Sequence, residues 1–170
     1  MVEVELSSVR VDLRSNTPLI LLREKLEPHR SLPIFIGAPE ATSIAMAQRG
    51  YEAPRPLTHD LTSSIISRMG GVLEKVVVVE LRDSTYYADL YIIVKDQTIV
   101  VSARPSDAVA LAIRVGSMIF VNDDLIAREG VVVSDDDVFE NNMSSAEEDP
   151  NVINEFREFL DNITPEDFSE

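Results

Sequence analysis

The 170-residue chain has no cysteine and no tryptophan. A disulfide framework, a thiolate metal site and a cysteine nucleophile are therefore excluded. The lack of cysteine suits a reducing cytoplasm. Aromatic residues make up only 6% of the chain, so a core must be built mainly from Val, Ile, Leu and Ala. Long apolar runs are also missing: "KVVVVEL" at 75–81 falls far short of the ~20 residues a membrane span needs. The opening "MVEVELSSVRVDL" has no basic start followed by an apolar run, so no signal peptide is expected. Positive charge is nearly absent from the last part of the chain. Residues 134–170 hold 13 acidic side chains and one basic one, Arg157, whereas residues 1–133 hold 17 acidic and 14 basic. A polyanion repels phosphate backbones, and the whole-chain net charge of −15 argues against nucleic acid as a partner. For the nearly neutral body that objection weakens.

What remains reads as one α+β domain over residues 1–133. Alternation places Val2, Val4 and Leu6 on one face of a first strand. "SNTP" at 15–18 is a turn, followed by strands "LILLREK" and "LPIFI". "GAPEATSIAMAQRG" at 37–50 reads as a helix with Pro39 in its first turn and Gly50 at its end. From Leu57 to Met69, the residues Leu61, Ile65 and Met69 recur every four positions, which predicts a buried helical stripe. Strands "VLEKVVVVEL", "YYADLYIIV" and "TIVVS" follow, separated by the turns "RDST" and "KDQ". A second proline-led helix, "RPSDAVALAIRVG", precedes the short strands "SMIFVN" and "VVV" at 131–133.

Sliding the chain by 66 positions lays "LPIFIGAPEATSIAMAQRG" beside "QTIVVSARPSDAVALAIRVG", matching Pro39 to Pro105 and Gly50 to Gly116. One reading is a repeated β-hairpin-plus-helix unit, two copies sharing one mixed, mostly antiparallel sheet with helices packed on it. The other is that any strand-to-helix joint favours Pro early and Gly late. Beyond the domain, residues 134–150 read as an acidic disordered linker. Residues 151–170 read as an acidic amphipathic helix and tail, with Val152, Phe156, Phe159, Leu160 and Ile163 on one side. A lone helix of that length needs a surface to lie on, either on a protein partner or on the chain itself.

The two proline-led helix starts carry the candidate chemistry. Glu40 and Asp107 each fall in a first turn, where a carboxylate complements the helix dipole; the same groups could also serve chemistry. Arg104 and Ser106, with nearby backbone amides, form a phosphate cradle, or else are a surface arginine and a solvated serine. His59 lies about 200° round its helix from Leu57 and points away from the Leu61–Ile65–Met69 stripe, out of the core. Thr58 is the expected N-cap, with Asp60 in the first turn. A helix start favours the neutral imidazole that a general base requires.

Six segments occur in order: "NTP" at 16–18, "LPIFIGAPEA" at 32–41, "RPLTHDL" at 55–61, "TYYADL" at 85–90, "ARPSDAVALA" at 103–112 and "IFV" at 119–121. Over about residues 1–133 the chain resembles the bifunctional nuclease domain family of bacteria and plants. The resemblance implies an α+β oligomer that hydrolyses phosphodiester bonds of RNA and/or DNA. It carries the family's polar signature onto Glu40, His59, Asp60, Arg104, Ser106 and Asp107. Under it, Glu40, Asp107 and Asp60 would hold a divalent cation (Mg²⁺ or Mn²⁺), and His59 would take a proton from water. Arg104, Ser106 and Arg55 would contact substrate. One position departs from the pattern: Ser102 stands where the family often has an acid, two places before Arg104. The alternative is a non-catalytic oligomeric module in which the same polar residues are structural.

Overall fold

The computed structural model describes residues 1–12 and 15–132. Strands β1 (Val2–Asp12), β2 (Thr17–Glu24) and β3 (Ser31–Phe35) lead into helix α1 (Ala38–Gln48). After α2 (Thr58–Arg68) come β4 (Gly71–Arg82), β5 (Thr85–Val94) and β6 (Gln97–Ala103), then α3 (Pro105–Val115), β7 (Met118–Val121) and α4 (Asp123–Glu129). The seven strands form one sheet in the order β3-β2-β1-β7-β4-β5-β6. Every pairing is antiparallel except that of β4 with β7. The protein is therefore α+β with a mixed, mostly antiparallel sheet.

Local chemistry explains the hairpins. Asp83 and Ser84 join β4 to β5, and Lys95 and Asp96 join β5 to β6, all four at positive φ. Two-residue loops of this kind match the right-handed twist of the strands they connect. Pro33 sits in β3, an edge strand, where its missing N–H costs no ladder bond on the open side. Glu24, only 3% exposed, is held by Arg30 at 2.7 Å and by the Arg30 amide at 2.8 Å. That pair closes the β2–β3 connection around a buried carboxylate.

Helices α1 and α3 pack on each other and on the sheet, α1 over β1 and β2, α3 over β4, β5 and β7. Ile20, Leu22, Ile44, Val76, Val109 and Ile126 are among the fully buried members of the continuous core between these layers. α3 enters the core because five consecutive residues, Ala108–Ala112, are small or aliphatic and all buried. Pro105 starts it, and Gly116 at φ 70 ends it, a left-handed cap that glycine adopts without steric penalty.

Four features differ from the sequence reading. The Leu61–Ile65–Met69 stripe of α2 is not buried: these residues are 52%, 49% and 76% exposed. α2 lies on α3 and β4 with its polar side inward, so the stripe faces solvent. Leu57, not Thr58, is the N-cap of α2, and its amide is satisfied by the Asp60 carboxylate at 2.9 Å. α4, with Asn122 as N-cap accepting from the Asp124 amide, was not expected. Val131 forms a single bridge to Ser31 rather than a strand. Val133, the linker at 134–150 and the segment 151–170 lie outside the described residues. No helix among the described residues is long and apolar enough to cross a membrane.

Candidate active site

Three helices deliver the candidate residues to one place. On α1, Glu40 and Ser43 are three apart and share a face; on α3, Asp107 and Arg114 are two turns apart and share another. α2 contributes His59 and Asp60 from its first turn. The polar side of α2 is drawn inward because these groups find partners there.

The His59 ring bridges the other two helices. Its Nδ1 lies 2.8 Å from Ser43 Oγ, and its Nε2 lies 3.0 Å from Asp107 Oδ1. The side chain is 12% exposed. Asp107 is an acceptor, so Nε2 carries the hydrogen. Ser43 Oγ accepts from Arg114 Nη2 at 3.0 Å, which leaves its own hydrogen for Nδ1. This tautomer is assigned from the partners and gives the order Ser43–His59–Asp107.

Arg104, the N-cap of α3, closes the outer side. Its Nε and Nη2 donate to Asp107 at 2.8 and 3.1 Å, and its Nη1 lies 2.9 Å from Glu40 Oε1. Glu40 reaches this point because Gly37 has no side chain: a Cβ there would sit 2.3 Å from Glu40 Oε2. Arg104 remains 66% exposed, so these pairs are screened and add little to stability. Their effect is to aim the guanidinium. Burial by itself would raise the Asp107 carboxyl, but hydrogen bonds from Arg104 and His59 outweigh it and hold the group below its ordinary range.

On the inner side Arg114 is the organiser. Its side chain is 9% exposed and donates to Asp60 at 2.6 Å, the Ser43 carbonyl at 3.1 Å and the Ala110 carbonyl at 2.9 Å. Burial pushes the Asp60 carboxyl up, and the Arg114 and Leu57 hydrogen bonds more than reverse that, leaving it lowered.

Of the residues singled out in the sequence, Glu40, His59, Arg104 and Asp107 thus meet directly. Asp60 joins them through Arg114 and Ser43. Ser106 is buried in the first turn of α3 and bonds none of them, Arg55 is exposed in the loop before α2, and Ser102 is exposed on edge strand β6. His59 faces inward, opposite to expectation. Its position relative to the stripe was correctly read, but the stripe is the solvent side. Ser43 and Arg114 were missed. The available signals were a hydroxyl one turn after Glu40 and a lone cation in the apolar run "AVALAIRVG".

The expected metal ligands do not converge. Among the described residues no three His, Asp or Glu side chains are grouped to hold a metal ion. Glu40 and Asp107 share Arg104, while Asp60 turns to Arg114.

The chain is 44% identical over 168 residues to an uncharacterized protein of Mycobacterium tuberculosis (strain ATCC 25618 / H37Rv), covering 99% of this chain and 98% of the relative. It is 26% identical over 133 residues to Bifunctional nuclease 1 of Oryza sativa subsp. indica, covering 69% of this chain but 40% of that protein. The Bifunctional nuclease of Oryza minuta matches to the same extent. The model of the bifunctional nuclease domain matches residues 20–134, a span that includes every member of the His59 network. The chain belongs to the bifunctional nuclease domain family.

Proposed function

We propose that this protein hydrolyses phosphodiester bonds of RNA and/or DNA where α1, α2 and α3 meet. The observation that carries the reading is the His59 ring held between Ser43 and Asp107 beside a largely exposed arginine. Asp107 fixes the ring and its tautomer. An attacking water passes a proton to Ser43 Oγ as the Ser43 hydrogen moves to Nδ1. Oxygen–phosphorus bond formation then breaks the bond from phosphorus to the leaving alkoxide, which takes a proton from solvent while the doubly protonated His59 returns one to solvent. Arg104 stabilises the charge that grows on the phosphoryl oxygens, with Glu40 positioning it. Arg55, exposed in the loop before α2, would be a further contact for the substrate. Mg²⁺ or Mn²⁺ held by Glu40, Asp107 and Asp60 fits poorly, because a guanidinium already occupies each carboxylate, so no step is routed through a metal.

The test compares wild type with His59→Ala and Glu40→Ala on single-stranded RNA and DNA, after a control for contaminating nuclease. Loss of hydrolysis with an unchanged fold is expected. Activity surviving in both variants overturns the proposal.

A second reading, a non-catalytic oligomeric module, draws on the same ring: both nitrogens are occupied and little of it is exposed. Under that reading His59→Ala lowers stability or alters assembly. Self-association belongs to either reading, and we assign it to the α2 stripe, since monomers seldom expose such contiguous apolar surface. A cytoplasmic setting accords with the absence of cysteine. The acidic segment 151–170 would then bind a protein partner or the chain itself.

A further inference from the structure

Both strand-to-helix joints open onto one groove of about 420 Å³, lined by Phe35 and Gly37 on one side and Tyr86, Arg104, Pro105 and Ser106 on the other. Arg104 is the one charged side chain among the described residues of its lining. Two helix starts meet here, α1 at Gly37 and α3 at Arg104, and neither has a side-chain cap. Such ends attract anions, but they are not by themselves a site.

The second observation is Ser106. The residue is only 5% exposed, lines the groove, and its hydroxyl has no hydrogen-bond partner among the described residues. That hydroxyl is not among the sealed, unpaired polar atoms of the interior; it opens on the groove, where a ligand can supply its partner. Arg104 has capacity to match: a guanidinium has five N–H donors, of which Asp107 and Glu40 take three. The remaining donors and the Ser106 hydroxyl suit a phosphate. The groove is too large for phosphate alone and falls within the size of small-ligand sites. Phe35, 56% exposed, and Tyr86 supply aromatic surface on which a nucleobase can stack.

We infer that this groove holds one nucleotide of the substrate, the base against Phe35 and Tyr86 and its phosphate on Arg104 and Ser106. The inference rests on the reading of the protein as a nuclease and specifies where a strand is gripped. An unpaired base is required, because a stacked and paired one presents no free face to the rings.

The test is calorimetric titration of the full chain with adenosine monophosphate, adenosine and inorganic phosphate, with folding of each variant checked by circular dichroism. Adenosine monophosphate should bind more tightly than either fragment. Phe35→Ala should weaken it roughly tenfold while leaving phosphate binding unchanged, and Ser106→Ala should weaken both adenosine monophosphate and phosphate several-fold. Nucleotide binding no tighter than that of phosphate, or unaffected by Phe35→Ala, overturns the groove assignment even if the protein hydrolyses nucleic acid. Phe35-dependent binding without any hydrolysis supports the groove and removes the catalytic reading instead.

Discussion

Replacing Arg114 with methionine tests whether the polar network holds three helices together. Methionine keeps much of the apolar stem, so the substitution removes mainly the guanidinium and its bonds. Four contacts are lost: Asp60 at 2.6 Å, Ser43 Oγ at 3.0 Å, the Ser43 carbonyl at 3.1 Å and the Ala110 carbonyl at 2.9 Å. Breaking a buried ion pair from one side costs about 3–5 kcal/mol. Asp60 is 37% exposed and regains water, which puts the expected loss near the lower end, about 3 kcal/mol. For a domain of this size that corresponds to a fall in Tm of roughly 10 °C. Thermal melts by circular dichroism at pH 7 measure it, with Asp60→Asn and the double variant completing a cycle. Asp60→Asn should destabilise less, and the double variant should show coupling of at least about 0.5 kcal/mol. Arg114→Lys should recover only part of the loss, because an ammonium cannot serve both Asp60 and Ser43 with a planar fork. A Tm within about 2 °C of wild type, or strict additivity in the cycle, would show that α1, α2 and α3 are held by apolar packing alone.

Acid should act on the same network. Asp60 and Asp107 both have lowered folded-state pKa values, so their stabilisation is present above the unfolded aspartate value of about 3.9 and is lost as pH falls through the folded values. Tm measured from pH 7 downward should stay level until near pH 4 and then drop, and Asp107→Asn should flatten that drop. With Arg104 supplying the positive charge, hydrolysis should persist in excess chelator. Activity abolished by chelator and restored by Mn²⁺ would mean that the carboxylates release their arginines to a metal. Leu61→Asp with Ile65→Asp should reduce the mass measured by light scattering to that of a monomer while leaving Tm largely intact, since both residues are about half exposed. Removing residues 134–170, which carry a net −12, should raise activity on nucleic acid if the tail competes as a polyanion, and an unchanged rate sinks that idea.

How much of this was legible in sequence depended on whether the signal was local. Pro39, Pro105 and Gly116 marked helix ends correctly, because a fixed φ or a left-handed cap acts on the residue itself. The hairpin turns at "RDST" and "KDQ" were legible for the same reason. The inward face of α2 was not legible. A four-residue apolar period shows that a stripe exists, but not whether the chain's own core or another surface covers it. α4 escaped because it has only seven residues and its buried pair, Leu125 and Ile126, is adjacent and gives no period. Glu40, His59, Arg104 and Asp107 were found through their motifs. Ser43 and Arg114 matter through partners 16, 54 and 71 residues away, and spacing along one helix does not report such pairs.

The sheet order also explains why the network is where it is. Strands β3-β2-β1 and β4-β5-β6 flank β7 as two three-stranded halves with β3 and β6 at the edges, each edge strand leading to a proline-started helix. This arrangement favours the repeated unit over a chance likeness of joints, because the 66-residue offset and the position in the sheet agree. Equivalent helices then lie side by side, and their starts converge on one spot. Under that offset Glu40 corresponds to Ser106, so one half offers a carboxylate where the other offers a hydroxyl, and Arg104 has no charged counterpart. α2 falls between the halves, and β7 follows α3 where a second copy of α2 would stand. His59 therefore enters from the element that breaks the symmetry. Two repeats alone would bring the helix starts together, but they would provide neither the imidazole nor the inward-facing polar side that Arg114 holds in place.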